Sequence, residues 1–288
     1  MKSRKGIVLA GGSGTRLYPL TIALSKQLLP VYDKPMIYYP ISTLILAGIE
    51  EILIITTPSD LDQFQQLLGD GKKWGVHFTY LTQPEAGGIA QAFHLAEDFL
   101  DGYPSCLILG DNIHYGQGLF DIMQLADQQS EGATVFAYHV ADPERYGIID
   151  FDDEGNAISV EEKPEKPKSY WAITGLYFYD EKVIEYSKQI EPSARGEYEI
   201  TAINDLYLQN KQLSVQKMGI GFAWFDTGTH DSLLEASNYV AALEKRQGLL
   251  IGCPEYCAYR RGLINRAQLE ALAKPMGNSH YGARLVRE

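Results

Sequence analysis

Cysteine is scarce: Cys106, Cys253 and Cys257 are the only three in 288 residues. The number is odd, and Cys253 and Cys257 have no Cys or His pair near them. That spacing suits neither a disulfide framework nor a zinc site, and it reads as reduced, structural thiols of a cytosolic protein. Long apolar runs are missing as well. The start, Met1-Lys2-Ser3-Arg4-Lys5-Gly6, has the charge of a secretion signal's first segment, but the apolar stretch 7–10 ends at once in glycines and is too short for a signal core. Nothing approaches the ~20 apolar residues of a membrane span. No membrane partner is expected, and the expected compartment is the cytoplasm. An excess of positive charge is also lacking. Lys plus Arg number 25 against 37 Asp plus Glu, a formal net charge of −12. Holding a nucleic-acid backbone rewards basic patches, so no nucleic-acid partner is expected. A phosphorylated small molecule stays open, since a few local cations and a divalent metal can hold one inside an acidic protein.

What is present is a series of short apolar runs alternating with amphipathic stretches, the pattern of βα units around a mainly parallel sheet. Strands are predicted at 7–10, 52–56, 76–81, 106–109 and 134–139, with helices at 35–47, 58–68, 88–99 and 119–129 between them. Pro35 reads as a first-turn proline and Gly48 as the stop of the same helix. The pattern changes after 139. Segments 147–151 and 157–162 flank the turn Asp152-Asp153-Glu154-Gly155-Asn156 and read as a hairpin added to the sheet. A strand at 171–179, a helix at 200–209, strands at 213–217 and 222–225, and a long helix at 229–246 with Thr229 as N-cap follow. The remainder reads as helical. The expected fold is α/β: a Rossmann-like, mainly parallel but mixed sheet flanked by helices, with a small added hairpin and a C-terminal helical appendage.

The stretch Leu9-Ala10-Gly11-Gly12-Ser13-Gly14-Thr15-Arg16-Leu17 falls at the carboxyl end of the first strand, the edge where open α/β sheets bind ligands. Its glycines allow a sharp turn and let backbone N–H groups approach an anion. Thr15 adds a hydroxyl and Arg16 a cationic fork matched to phosphate oxygens. Two commoner nucleotide fingerprints are absent. Counting G-x-G-x-x-G from Gly12 puts Leu17 at the third glycine, and no lysine follows in the frame of a Walker A loop. A tight turn with no ligand is the competing reading, and Arg16 at a strand end weighs against it. Lys26, in Ser25-Lys26-Gln27-Leu28-Leu29-Pro30, is a second phosphate contact or, taken alone, a solvated surface charge. Asp111 follows 106–109 and Asp226 follows 222–225, so both are expected at strand ends; each also suits a turn.

The loop, the segment Ser25 to Pro30 and Asp33-Lys34-Pro35-Met36 together resemble the sugar-nucleotide pyrophosphorylases, closest to their thymidylyltransferase branch. The match continues through Gly110-Asp111-Asn112, Glu161-Glu162-Lys163-Pro164, Thr174-Gly175-Leu176-Tyr177 and Trp224-Phe225-Asp226-Thr227-Gly228-Thr229. These motifs run in family order over nearly the whole chain and are specific as a set. The resemblance implies a nucleotide-diphospho-sugar transferase fold. It implies a catalytic domain over 1–250, with a nucleotide half at about 1–130 and a sugar half at about 131–228, and a helical extension over 251–288. The implied reaction joins dTTP and glucose 1-phosphate into dTDP-glucose and pyrophosphate, with Mg²⁺. UTP or another hexose phosphate stays open, as does a catalytically silent sensor of sugar nucleotides. The presence of Arg16, Asp111, Lys163 and Asp226 weighs against the sensor.

The resemblance also implies roles. Asp111 and Asp226 are the metal ligands and, with Arg16 and Lys163, the catalytic set. Gly11, Gly12, Ser13, Gly14, Thr15, Arg16, Lys26, Gln27, Gln83 and Gly88 belong to the nucleotide site. Asn112, Gly147, Glu162, Lys163 and Ile173 belong to the sugar-phosphate site, while Tyr177 reads as packing. Tyr115, Gly116 and Arg260 match a regulatory site of a homotetramer, a dimer of dimers. In-line attack of a sugar-phosphate oxygen on the α-phosphorus needs cations and positioning rather than a covalent nucleophile, and no nucleophile–base pair stands out. The Gln83 amide offers a donor and an acceptor, which suits the imide edge of thymine or uracil alike. Glu162 and Lys163 are neighbours on a predicted strand and so point to opposite faces, unless Pro164 ends that strand. A surface ion pair is their competing reading. Two places depart from the family pattern. Gly87 stands where an aspartate is usual, with Ile89 for a leucine, and the extra glycine is expected to loosen the loop. Tyr256 and Cys257 replace a glutamate and an isoleucine beside the regulatory positions.

Overall fold

The computed structural model describes residues 3–287. Met1 and Lys2 of the basic start, and Glu288 at the end of the expected extension, lie outside the described residues. The strands are β1 Lys5–Ala10, β2 Pro30–Val31, β3 Lys34–Pro35, β4 Glu51–Thr56, β5 His77–Thr82, β6 Ser105–Leu109, β7 Asn112–Gly116, β8 Ala133–His139, β9 Gly147–Phe151, β10 Ala157–Glu162, β11 Trp171–Tyr179, β12 Leu213–Met218 and β13 Phe222–Asp226. The helices are α1 Tyr38–Leu46, α2 Leu61–Leu68, α3 Gln91–Leu95, α4 Glu97–Leu100, α5 Leu119–Gln128, α6 Val183–Ser187, α7 Ile200–Gln209, α8 His230–Gln247, α9 Pro254–Arg260, α10 Arg266–Ala273 and α11 His280–Leu285.

The main sheet runs β10-β9-β11-β6-β1-β4-β5, with β8 on β11 and β12 on β8. From β6 to β5 every pairing is parallel. At β11 the direction reverses: it is antiparallel to β6, β8 and β9, and β9 and β10 form the expected hairpin. The change of pattern after residue 139 is this change of direction. Parallel strands covered on both faces must be apolar at consecutive positions, and Ile52, Leu53, Ile54 and Ile55 are all fully buried. Alternation then sorts them. Val8, Ile52, Ile54, Cys106 and Ile108 pack on α1 and α5, while Ile7, Leu53, Ile55 and Leu107 pack on Phe93, Leu100, Ile203 and Tyr207 of α3, α4 and α7.

The tail is helical as expected, and it joins the first of these cores through Cys253, Cys257, Ala258, Leu269 and Leu285. A buried ionic knot ties it down. Lys34 Nζ meets Glu244 Oε1 at 3.0 Å, and Arg284 of α11 meets Glu244 Oε2 at 3.0 Å. Pairing both carboxylate oxygens is what makes a fully buried Glu244 tolerable.

Three expectations are corrected. Pro35 does not open a helix; it lies in the two-residue strand β3, opposite Pro30, and α1 begins three residues later. Proline has no N–H to give a ladder, so such a short, two-stranded ribbon accommodates it. The helix predicted over 88–99 is two short helices that part at Ala96. β7 was not anticipated, because Asn112 to Gly116 directly follows a turn-like Gly-Asp. It pairs with β13 in a separate ribbon, Asn112 opposite Asp226 and His114 opposite Trp224. The expected cap of α8 is present and complete: Thr229 accepts from the Ser232 N–H and Ser232 returns the bond.

His114 on β7 is buried, and neither ring nitrogen has a partner among the described residues. Burial alone pushes its pKa from 6.5 down to about 3. The fold therefore holds the neutral ring, while the unfolded chain takes up a proton below pH 6.5. That contribution to stability is complete above pH 6.5 and is lost as the pH falls toward 3. Between pH 6.5 and 5 the loss is about 2 kcal/mol. Urea unfolding of His114→Phe is expected to show a correspondingly flatter acid limb than the parent; parallel limbs would refute this.

Candidate active site

A cleft of about 360 Å³ opens above the carboxyl ends of β1 and β6, between the parallel and antiparallel parts of the sheet. Its walls bring together most of the positions singled out in the sequence: Gly12, Arg16, Lys26, Gln27, Asp111, Asn112, Gly147, Glu162, Lys163, Ile173 and Asp226. Tyr177 also reaches it, but is buried and stacked on Tyr179, as its packing role requires. Within the glycine loop after β1, Gly14 takes a left-handed φ of 62° and caps a single 3₁₀ turn of Thr15–Leu17, the conformation glycine adopts without penalty. The Thr21 hydroxyl donates to the Gly14 carbonyl at 2.7 Å and holds the turn. Gly12 and Arg16 face the cleft, while Ser13 and Thr15 are exposed on the loop. Lys26 and Gln27 are not solvated; both are buried.

The two aspartates meet through the β7–β13 ribbon. Asp111 directly precedes β7, and Asp226, the last residue of β13, lies opposite Asn112. The Thr227 N–H and hydroxyl both donate to the Asp111 carbonyl, at 3.1 and 2.7 Å. Burial works against the charge of Asp111, but the Lys26 ammonium on Oδ2 and the Asn112 amide on Oδ1, at 2.9 Å, outweigh it and hold the carboxyl below its usual range. Asp226 moves the other way. Burial, then the charge of Asp111, push it up to about 6, against the pull of Lys26, Arg16 and Arg145. The charge of one carboxylate resists ionisation of the other, so Asp226 gives up its proton only near pH 6. The bare Cα of Gly228 leaves room for this meeting; a Cβ there would lie 3.2 Å from both Arg16 Nη2 and Asp226 Oδ1.

Asn112 joins this carboxylate pair to the opposite wall. Its Oδ1 accepts from Trp224 Nε1 at 2.6 Å and from the Gly175 N–H at 3.1 Å. The register of β11 against β8 shifts between Ile173 and Tyr177, which brings Gly175 to this point. A Cβ on Gly175 would fall 2.6 Å from Asn112 Oδ1 and 2.8 Å from Leu109 Cδ1. Asn112 is tied on three sides and has nowhere to move. Gly175→Ala is therefore expected to cost roughly 1–3 kcal/mol of stability, the range of core overpacking, and to lower turnover by displacing Asp111. Wild-type turnover in this variant would contradict the arrangement.

The two-face problem of Glu162 and Lys163 is resolved by the backbone. β10 ends at Glu162, and Lys163 takes a left-handed φ of 43° before Pro164. That turn breaks the alternation, so both side chains line the cleft, with Lys163 Nζ 3.4 Å from Glu162 Oε1. They are not a free surface pair. Glu162 also accepts from the Thr201 hydroxyl and from Arg195 Nη2, the latter at 3.3 Å. Gly147, opposite Glu162 in the hairpin, would place a Cβ 3.0 Å from Thr201 Oγ1. Arg145, Tyr146, Glu197 and Thr201 line the cleft without having been singled out, and Trp224, which opens the motif ending at Thr229, lines it too without an expected role. The sequence marks Arg145 and Tyr146 only by their adjacency to Gly147, and gives no sign of Glu197 or Thr201.

Gln83 lies on the far side of Gly11, buried at the end of β5. Gly88, at φ 99°, abuts Tyr198 so closely that a Cβ would overlap its backbone. The Tyr198 N–H donates to the Gly87 carbonyl at 2.7 Å, and the Ala90 N–H to the Tyr198 carbonyl at 3.0 Å. The loop that carries the extra glycine is bonded to Tyr198 at both of these points, and the bare Gly88 permits that approach. A second cavity of about 430 Å³ lies elsewhere and gathers Tyr115, Gly116 and Arg260 with Tyr256 and Cys257. There Arg260 Nη1 donates to the Tyr256 hydroxyl at 3.2 Å.

Comparisons with known proteins point to one family. Residues 5–242 match the nucleotidyl transferase family model. The glucose-1-phosphate thymidylyltransferase of Xanthomonas campestris pv. campestris (strain B100) is 56% identical over 286 residues, which is 99% of this chain and 97% of that protein. A Bacillus anthracis structure assigned to the same enzyme, in complex with sucrose, is 45% identical with a TM-score of 0.76, covering 82% of this chain and 95% of that one. The structure of UDP-glucose pyrophosphorylase with UDP-glucose is 26% identical with a TM-score of 0.71, over 85% and 100% of the two chains. No helix among the described residues is long and apolar enough to cross a membrane. With its full-length matches and a cleft that holds the expected cations and carboxylates, the chain belongs to the nucleotidyl transferase family, in its glucose-1-phosphate thymidylyltransferase group.

Proposed function

We propose that the chain catalyses the reaction of dTTP with α-D-glucose 1-phosphate to dTDP-glucose and pyrophosphate, in the cytoplasm, with Mg²⁺ held by Asp111 and Asp226. The observation that carries this reading is the single cleft in which Arg16, Lys26, the aspartate pair and Lys163 converge. One phosphate oxygen of the sugar phosphate attacks the α-phosphorus, the bond to the β-phosphate bridging oxygen breaks, and pyrophosphate leaves. Every reacting group is anionic, so the chain's task is to neutralise and align them. Arg16 and Lys26 meet the triphosphate, Lys163 holds the attacking phosphate, and Glu162, fixed by Thr201 and Arg195, accepts from sugar hydroxyls. The sugar rests on Gly147, Asn112 and Ile173, and Gln83 with Gly88 contacts the base.

The donor set suits a divalent cation. Asp111 and Asp226 are hard oxygen ligands whose mutual repulsion a cation relieves. Two carboxylates leave most of a six-coordinate shell open, and phosphate oxygens and water would complete it. When bound, Mg²⁺ supplies positive charge to the oxygens around the α-phosphorus.

A matrix of nucleoside triphosphates against sugar 1-phosphates, read by pyrophosphate release, tests this. The strongest release is expected with dTTP and glucose 1-phosphate, and none without metal. Silence with every sugar phosphate would overturn the proposal. We further propose a homotetramer, a dimer of dimers, with feedback by a nucleotide sugar bound in the cavity at Tyr115, Gly116 and Arg260. Sedimentation at about four chain masses, and inhibition that Arg260→Ala relieves, are the expected results.

A further inference from the structure

The departure at Gly87 has a partner in the structure, Gln91 at the start of α3. Gln83 Nε2 donates to Gln91 Oε1 at 2.5 Å and lies 3.5 Å from the Gly88 carbonyl oxygen. Gln91 Oε1 also accepts from the Gly87 N–H, at 3.1 Å, a donor it shares with the Glu85 carbonyl at 2.9 Å. A side-chain amide has one donating and one accepting end. With its donating end turned to Gln91, Gln83 presents Oε1 toward Gly11, where an added Cβ would lie 2.8 Å from that oxygen. Gly87 makes the arrangement possible. A Cβ at that position would fall 2.5 Å from Gln91 Oε1 and 2.7 Å from its Cδ, so the usual aspartate would displace the Gln91 amide.

We infer that Gln91 is a positioning residue: it fixes which end of the Gln83 amide faces the base, and so selects a base that carries a proton on N3. This rests on the reading of Gln83 as the group that contacts the base. Thymine and uracil donate their N3–H to Oε1. Cytosine in the same pose presents an N3 lone pair to it, two acceptors face each other, and both stay unpaired. Turning the Gln83 amide over would suit cytosine but would oppose its Oε1 to that of Gln91. Turning Gln91 over as well would point its NH₂ at the Gly87 N–H. The chain of choices ends on a backbone donor that cannot be inverted.

The test compares kcat/KM for dTTP and dCTP, both with glucose 1-phosphate and Mg²⁺, across four variants. In Gln91→Leu the dTTP:dCTP ratio is expected to fall at least about tenfold, the worth of one hydrogen bond between neutral groups, through the two KM values with kcat at saturation little changed. Gln91→Glu keeps an acceptor for both donors and is expected to keep the ratio. Gly87→Ala, which leaves Gln91 in place but crowds its amide, is expected to shift the ratio in the same direction as Gln91→Leu and covers the case in which that variant does not fold. A general loosening of the loop would weaken both nucleotides alike and would not be rescued by glutamate. An unchanged ratio in Gln91→Leu or Gly87→Ala, or equal loss in Gln91→Glu, overturns the inference. Gln83→Leu separates the two levels: if it leaves the ratio unchanged, Gln83 does not read the base and the underlying reading fails with it; if it shifts the ratio while Gln91→Leu does not, only the role of Gln91 falls.

Discussion

Asp226→Asn is expected to lower kcat/KM by at least about 10²-fold, the scale of removing one preorganised electrostatic contact, and at the same time to raise the melting temperature of the metal-free protein above pH 6. The two effects share one cause. Desolvation of the half-buried side chain, then the charge of Asp111, push its pKa from 3.8 up to about 6. An acid with a raised pKa binds its proton more tightly in the fold than in the unfolded chain, so the fold loses stability as the pH climbs through that interval. Asparagine has the same shape without the charge and escapes the loss. A carboxylate kept only for structure would show the reverse, a lower melting temperature with turnover intact. Differential scanning calorimetry at pH 5 and pH 8, with pyrophosphate release measured on the same samples, separates the outcomes. If turnover falls less than tenfold, the reaction centre has been misplaced.

Arg16→Ala is expected to lose at least about 10²-fold in kcat/KM on the same grounds, with little change in melting temperature. The guanidinium is exposed on the loop and faces Asp226 across the bare Gly228 Cα. An exposed charge contributes little to folding, so its deletion is felt when the triphosphate must be neutralised. Arg16→Lys tests geometry against charge. Lysine keeps the charge but not the planar fork, and recovery of only part of the activity is expected. Full recovery would mean that charge alone suffices there, and a loss below tenfold in Arg16→Ala would move the phosphate site away from Gly11 to Arg16.

Local signals and long-range ones differed sharply in how well the chain reported them. The apolar runs of β1, β4 and β6 are short, continuous and bounded by glycine or polar turns, so their period and length identify them without any partner. The hairpin of β9 and β10 and the cap of α8 are local as well: a five-residue polar turn and a threonine three residues before a serine specify them. Arg16, Asp111 and Asp226 were legible because each follows an apolar strand, and strand ends are where such sheets bind ligands. β7 was not legible, since five residues that begin with asparagine have no pattern until β13 lies alongside them. Pro35 misled for the same reason: the rule that places proline at a helix start competes with a strand partner that only the fold supplies.

The sequence by itself determined the α/β class, the order of most of its elements, the glycine loop after β1 and the choice of candidate cations and carboxylates. These depend on residue type and near neighbours. The tertiary structure alone decided which groups meet: Lys26 on Asp111, Asn112 between Trp224 and Gly175, Glu162 and Lys163 turned to one side by a single left-handed residue, and Gln91 on Gln83 across Gly87. Each joins positions whose contact depends on register and backbone conformation, and those are settled only when the core closes. The opposite pKa shifts of Asp111 and Asp226 belong to the same group. Two aspartates 115 residues apart look alike in a sequence; the Lys26 ammonium and the Asn112 amide, hydrogen-bonded to Asp111 alone, make them different.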